Sequence, residues 1–362
     1  MSDLRYGIVG TGMMGVEHLH NLAVLDGAVV TALCDPEPTS LATAQALAPA
    51  AATYDAVEAL AAADPCDAYV VASPNHTHLD VLRPLFDTGK PIMVEKPLCT
   101  TVEDCHTVLD LARDHPAPVW MALEYRYMPP VARLLDELAL GTIGSVRMAA
   151  IREHRFPFLR KVGDWNRLSR NTGGTLVEKC CHFFDLLNLI MDDRPVRVFA
   201  AGGQAVNHLD EVYDGERSDL LDHASVTITY AGGQIGTLDL CMFAEATHTQ
   251  DEVTVIGDRG KMEAHLPDGT FRLGLRGTHD IGSVHAETIP STAPYEGHHY
   301  GSSYWEQERF LRCILDGTPP DVTLADGLAS VAVGAAAHRS IETGLPVELT
   351  DLLPRNPVAA GQ

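Results

Sequence analysis

Tyr6-Gly7-Ile8-Val9-Gly10-Thr11-Gly12-Met13-Met14-Gly15 is the stretch on which the fold turns. Its first four residues read as a short strand, and Gly10, Gly12 and Gly15 then stand in G-x-G-x-x-G spacing ahead of a helix predicted from about Met14 to Leu25. Glycines at those places allow a tight turn and close backbone approach, while the helix N-terminus carries partial positive charge suited to a diphosphate. A second strand, Val29 to Cys34, closes a βαβ unit and ends at Asp35, 20 residues past Gly15. A carboxylate there accepts hydrogen bonds from ribose hydroxyls and repels a 2′-phosphate, so Gly10, Thr11, Gly12, Met13, Met14, Gly15 and Asp35 are expected to hold NAD rather than NADP.

The same alternation continues outward. Strands are expected at Ala68–Ala72, Pro91–Val94 and Pro118–Ala122, with helices near Leu41–Leu47, His78–Asp87 and Val102–Asp114. This predicts an α/β, doubly wound Rossmann dinucleotide-binding domain over residues 1–123. Beyond it, strands follow one another with period-2 alternation. Val226, Ile228 and Tyr230 share one face, and further strands are expected at Gln234–Phe243, Glu252–Ile256, Lys261–Leu266, Phe271–Leu275 and Val284–Ile289. Helical periodicity returns at Leu176–Met191, Tyr304–Cys313 and Leu324–Glu342. Residues 124–362 therefore read as a C-terminal α+β domain with a large, mainly antiparallel open sheet. Such a face needs cover, which predicts a homodimer or homotetramer.

Composition excludes several classes. Lys+Arg 26 against Asp+Glu 49 leaves a net charge of −23, which argues against nucleic acid and anionic membrane surfaces. No apolar run approaches the roughly 18 residues of a membrane span, and the opening residues lack the pattern of a secretory signal, so a cytoplasmic protein is expected. The eight cysteines show no zinc-finger spacing, and no metal is expected; the adjacent Cys180 and Cys181 read as packing residues.

Three further segments carry chemistry. Ser73-Pro74-Asn75-His76-Thr77-His78 and Glu95-Lys96-Pro97 each end a parallel strand, on the edge where such sheets bind ligands. Gly173-Gly174 is followed by Glu178 and His182, which share a face if the segment is one helix. Together with the glycine loop, these motifs resemble the glucose–fructose oxidoreductase / inositol dehydrogenase / rhizopine catabolism (Gfo/Idh/MocA) family over essentially the whole chain. The resemblance implies that Lys96 reaches the reacting hydroxyl and the nicotinamide ribose and that His182 is the general base. Glu178 stands where the family usually has Asp. Ser73, Pro74, Asn75, His78, Glu95, Lys96 and Arg126 complete the expected cofactor contacts. An imidazole suits removal of a hydroxyl proton, and a cationic Lys96 stabilises the developing alkoxide.

Between Arg147 and Lys179 stand eight basic residues against three acidic ones, a net +5 in an acidic chain. That cluster is expected to clamp an anionic group on a sugar, polyol or glycoside, although it reads equally as decoration of a strand and a solvated loop. Arg155, Lys161, Trp165, Asn166, Arg167, His182, His299 and Tyr300 are the expected substrate contacts. Tyr125, Tyr127 and Tyr300 are candidate extra acid–base groups. The residues suit a net NAD-dependent oxidoreductase. They also suit a redox glycosidase, for instance on a sulfoquinovoside, that oxidises carbon 3 transiently, eliminates the aglycone, adds water and re-reduces. A non-catalytic NAD sensor is the third reading, against which Lys96 and His182 together argue.

Overall fold

Six strands, β1 (Leu4–Val9), β2 (Ala28–Cys34), β3 (Ala52–Tyr54), β4 (Ala68–Val71), β5 (Ile92–Val94) and β6 (Val119–Met121), form one parallel sheet in the order β3-β2-β1-β4-β5-β6. This is a computed structural model, and it describes residues 3–213, 215–277, 282–350 and 352–353; the outer ends of the two expected domains, residues 1–2 and 354–362, lie outside that range. β4 and β5 are buried along their whole length, which is why they read as unbroken apolar runs. Helices α1 (Met13–Ala23), α2 (Pro38–Leu47), α3 (Val57–Ala63), α4 (His78–Phe86) and α5 (Val102–Ala112) connect the strands. The strand order reverses between β1 and β4, so a crevice opens there beyond the carboxyl ends of the strands.

After a 3-10 turn at Glu124–Tyr127 come α6 (Pro129–Ala139), β7 (Val146–His154), α7 (Ser169–Thr172), α8 (Thr175–Glu178), α9 (Cys181–Met191) and β8 (Pro195–Gly203). A two-residue pair, β9 (Val212–Tyr213) and β10 (Glu216–Arg217), precedes β11 (His223–Tyr230), β12 (Ile235–Cys241), β13 (Asp251–Gly257), β14 (Gly260–Leu266), β15 (Thr270–Leu275) and β16 (His285–Thr288). The chain ends with α10 (Ser302–Asp316), α11 (Leu324–Thr343) and β17 (Val347–Glu348). Among the described residues nine strands make the second sheet, ordered β16-β15-β14-β13-β7-β12-β11-β8-β17, antiparallel except for the β7–β12 pair. β11 alternates as expected: Val226, Ile228 and Tyr230 are buried while Ser225 and Thr227 face out. α6, α9 and α11 pack on strands of this sheet.

Two local differences matter for the site. The helix expected over Leu176–Met191 is broken at Lys179 and Cys180, where the Glu178 carbonyl accepts from Lys96 Nζ (3.1 Å) and Cys181 Sγ (3.4 Å). Residue 123 falls between the strands of the first sheet and those of the second. α10 returns to the first sheet, where Phe310 meets Tyr6 and Trp120 edge-on at ring distances of 6.4 and 6.1 Å, and Glu306 accepts from the Leu123 N–H at 2.9 Å. Among the described residues no helix is long and apolar enough to cross a membrane.

Candidate active site

The β1–α1 turn brings Gly10 against the end of β4. Gly10 has φ +88°, and a Cβ there would lie 2.4 Å from the Ser73 nitrogen. At Gly15 a Cβ would strike the Gly10 carbonyl at 2.1 Å, so this glycine serves helix–strand contact. A Cβ at Gly12 meets nothing within 4 Å. That open space beside the first turn of α1 is where the diphosphate of a dinucleotide fits. Asn75, nearly buried at the end of β4, lines the same cleft with an unpartnered Nδ2 donor, a second feature that fits a ligand. Asp35 closes the loop: its carboxylate accepts from the Thr11 N–H (2.6 Å) and hydroxyl (3.0 Å) and from the Glu37 N–H (2.8 Å). Asp35, Glu37 and Asp55 line that end and would repel a 2′-phosphate.

The cleft has a volume of about 550 Å³ and continues from the glycine loop to Lys96 and His182. Glu95 is fixed from behind by a chain of side chains. Gln307 Nε2 donates to His18 Nδ1 (2.8 Å), leaving His18 Nε2–H to donate to Glu95 (2.9 Å). Burial opposes ionisation of Glu95, yet the His18 bond and neighbouring Lys96 hold its carboxyl below the usual range. Lys96 is also buried, but Cys181, Glu178, Glu124 and Glu95 around it outweigh that and raise its ammonium above the ordinary value. His182 lies flat on Tyr125, ring centroids 4.2 Å apart and planes 13° apart. Burial, with Lys96 and Lys179 adding to it, pushes its imidazole well below the usual value, so it is neutral at neutral pH. The site therefore holds a cation and a neutral base.

Gly10, Gly12, Met13, Met14, Asp35, Ser73, Pro74, Asn75, Glu95 and Lys96 line the cleft, as do Arg155, Lys161, Trp165, Asn166, Glu178, His182 and His299. The other expected contacts have different tasks. Thr11 turns to Asp35. His78 is buried, its ring nitrogens lying 2.9 Å from the Pro97 carbonyl and 3.1 Å from the Ser73 carbonyl, one of which accepts its single N–H. Arg126 forks Asp185 of α9 (Nε 2.7 Å), and Arg167 donates to the Phe158 carbonyl beside Glu211. Tyr300 lies outside the lining set. Glu178 and His182 reach the cleft from two helices, not one face of a single helix, and Glu178 faces Lys161 at 3.3 Å.

Sequence reasoning missed the buried Glu124, although its place just after β6, on the ligand-binding edge, was a usable signal. It also left Lys179 out of the site; this residue lines the cleft while bonded to the Tyr125 hydroxyl (2.7 Å) and Glu153 (2.9 Å). All eight basic residues of the Arg147–Lys179 cluster have carboxylate partners. Arg155 and Lys179 share Glu153, Arg160 and Lys161 face Asp164 and Glu178, and Asp258, Glu252, Glu211 and Glu216 come from elsewhere to Arg147, Arg152, Arg167 and Arg170.

A doubly wound sheet with a glycine-loop cleft, closed by an ammonium and a neutral imidazole, defines a dinucleotide-dependent oxidoreductase. Residues 4–123 match the family model for the oxidoreductase NAD-binding Rossmann fold, and residues 136–349 match the model for the C-terminal alpha/beta domain of the same family. The chain belongs to the Gfo/Idh/MocA oxidoreductase family, and its first domain is the family's NAD-binding domain. It is 25% identical over 353 residues to a myo-inositol 2-dehydrogenase of Thermotoga maritima, covering 97% of this chain and 100% of that protein. An inositol 2-dehydrogenase of Rhizobium meliloti is 27% identical over 344 residues, covering 93% and 97%. An oxidoreductase of Agrobacterium radiobacter, solved with NAD+, L-tartaric acid and magnesium, shares the fold with TM-score 0.82 at 18% identity, over 97% of this chain and 100% of that one.

Proposed function

We propose that the protein oxidises a secondary hydroxyl of a sugar, polyol or glycoside. The observation that carries this is the placing of protonated Lys96 and neutral His182 in one cleft with the glycine loop. The bound cofactor would supply the hydride acceptor at its nicotinamide. Gly10, Gly12 and Asn75 hold its diphosphate side and Asp35 its ribose. His182 takes the hydroxyl proton, and the Lys96 ammonium, held by the Glu178 carbonyl, faces the oxygen on which negative charge develops. Related inositol dehydrogenases support a polyhydroxylated substrate.

An anionic group on that substrate is supported by Arg155 and Lys161, which line the cleft, with Trp165 beneath Lys161 Nζ at 4.7 Å as an apolar platform. Because both cations already face carboxylates, such a group would share them with Glu153 and Glu178. The redox-glycosidase reading is favoured by Lys179 and Tyr125, a second acid–base pair beside His182. A homo-oligomer is supported by the outward face of the large sheet, where Met148, Phe199, Ile235 and Ile256 stand exposed.

The deciding experiment incubates the protein with NAD+ and a panel of neutral and anionic polyols, sugars and glycosides, following NADH and released sugar. Stoichiometric NADH that disappears in Lys96→Met and His182→Gln establishes the dehydrogenase. Free sugar without NADH establishes the glycosidase. If either variant turns over normally, the assigned chemistry is wrong. Replacing Arg155 and Lys161 by Met should raise KM for an anionic substrate far more than for a neutral one; equal effects remove the clamp.

A further inference from the structure

Among the described residues, four buried polar atoms beneath the cleft have no hydrogen-bond partner and face one another: Nδ1 of His182, both carboxylate oxygens of Glu124, and Nδ1 of His299. His182 Nδ1 lies 3.7 Å from Glu124 Oε2, and His299 Nδ1 lies 3.5 Å from Glu124 Oε1. Each gap is a few tenths of an ångström beyond a normal hydrogen bond. Leaving four such atoms unpaired in a dry interior is costly, so a small closing movement that pairs them all is favoured. Glu178, four residues before His182, is not available for this, since its carboxylate faces Lys161. Stacking on Tyr125 fixes the plane of the His182 ring, so its Nδ1 stays aimed at Glu124.

We propose that Glu124 is a positioning residue shared by two histidines, and that the hydroxyl proton taken up at His182 Nε2 leaves through Glu124 to His299 and water. This rests on the reading of His182 as the base. The transfers balance as exchanges of place. At His182, Nε2 gains a proton and Nδ1 releases one; at Glu124, Oε2 gains and Oε1 releases; at His299, Nδ1 gains and Nε2 releases to water. One proton passes from the hydroxyl to solvent, and the electron pair of the C–H bond leaves with the hydride of the reaction above. No ring or carboxyl of the chain ends with a new charge.

The surroundings make that economy necessary. An imidazolium at His182 would form beside the ammonium groups of Lys96 and Lys179, in a site that burial already makes hostile to it. Glu124 is faced by Glu95 and Lys96 after β5, by Lys179, Cys181 and His182 where α8 and α9 meet, by His299 before α10 and by Glu306 on α10. Burial, and then Glu95, push its carboxyl up to about 8, so near neutrality it holds the proton that the exchange requires. Glu124 and His182 are each 2% exposed at the side chain, whereas His299 is 21% exposed, so the chain runs from buried groups to one that water reaches.

Nitrogen-15 NMR of the full-length protein, with histidines assigned through His182→Gln and His299→Gln, tests the contact. His182 should be the Nδ1–H tautomer at pH 7 and lose that preference in Glu124→Leu. The Nε2–H tautomer in the unaltered protein, or no change in Glu124→Leu, overturns the proposal. Glu124→Gln keeps an acceptor for His182 and a donor for His299 but cannot exchange its proton. It should retain the tautomer, the thermal midpoint and KM while kcat with NAD+ and myo-inositol falls about 100-fold or more. Unchanged kcat overturns the relay. Should Glu124→Leu fail to fold, the tautomer in the unaltered protein and the kcat of Glu124→Gln decide. If the unaltered protein oxidises no panel compound, the proposed reaction fails on its own terms, and the tautomer still decides whether Glu124 holds His182.

Discussion

Gly12 and Gly15 sit three residues apart in one turn and do different jobs, which a pair of substitutions separates. An alanine methyl at Gly12 meets open space, so Gly12→Ala should fold normally yet intrude where the diphosphate lies, weakening NAD binding by about tenfold or more, roughly 1.4 kcal/mol. At Gly15 the same methyl strikes the Gly10 carbonyl, so Gly15→Ala should lower the thermal midpoint even without cofactor. Titrating both variants with NAD while following thermal unfolding checks the contrast. At Asp35 the two roles coincide. Asp35→Ser should narrow the preference for NAD over NADP, measured as the ratio of dissociation constants, and loosen the loop by removing the carboxylate whose two oxygens accept from the Thr11 and Glu37 N–H groups.

Among the elements, α10 decides how the two sheets are held together. Phe310 is fully buried between Tyr6 and Trp120, and Glu306 and Gln307 on the same helix reach the β6 end and the His18–Glu95 chain. Phe310→Ala should destabilise the protein by about 3–5 kcal/mol in denaturant unfolding. It should also reduce turnover, because the α10 contacts that fix Glu95 position the neighbouring Lys96. Loss of stability with unaltered kcat would show that α10 braces the sheets without tuning the site. The break between α8 and α9 belongs to this scale as well. Periodicity in Leu176–Met191 suits a continuous helix, but at the break the Glu178 carbonyl is taken by Lys96, which is distant in sequence, and by Cys181 Sγ.

For the molecule as a whole, buried titratable groups set the pH range of stability. His299 and His338 are pushed down to about 3 and about 4, mainly by burial, so the folded state binds fewer protons than the unfolded chain below the ordinary histidine value of 6.5. Their contribution rises with pH through that window and is lost on acidification. Glu124 and Asp251 are pushed up to about 8 and about 7, again chiefly by burial, so the folded state holds protons that unfolded carboxylates at 4.5 and 3.8 have released. Their effect has the opposite sign, and above 6.5, where unfolded histidines are giving up their remaining protons, it outweighs theirs. Stability should therefore fall by about 1 kcal/mol between pH 6.5 and 8. Glu124→Gln should flatten that decline. Thermal unfolding at the two pH values measures both.

The sequence by itself determined the strand–helix alternation of the fold and the cofactor end of the site. The glycine loop, Asp35 and the apolar runs of β4 and β5 are local signals, because backbone turns and strand burial are written in neighbouring residues. Lys96 and His182 were legible for a similar reason, each lying in a short motif. What only the tertiary structure decided is which charges meet. Eight cations that read as a free cluster have found carboxylates, four of them from beyond residue 210, and Arg126 and His78 bond to Asp185 and to backbone carbonyls within the chain. Glu124 has no motif of its own. Its burial between two histidines arises from three segments that lie far apart in the chain, and electrostatic interaction depends on distance in space rather than separation in sequence.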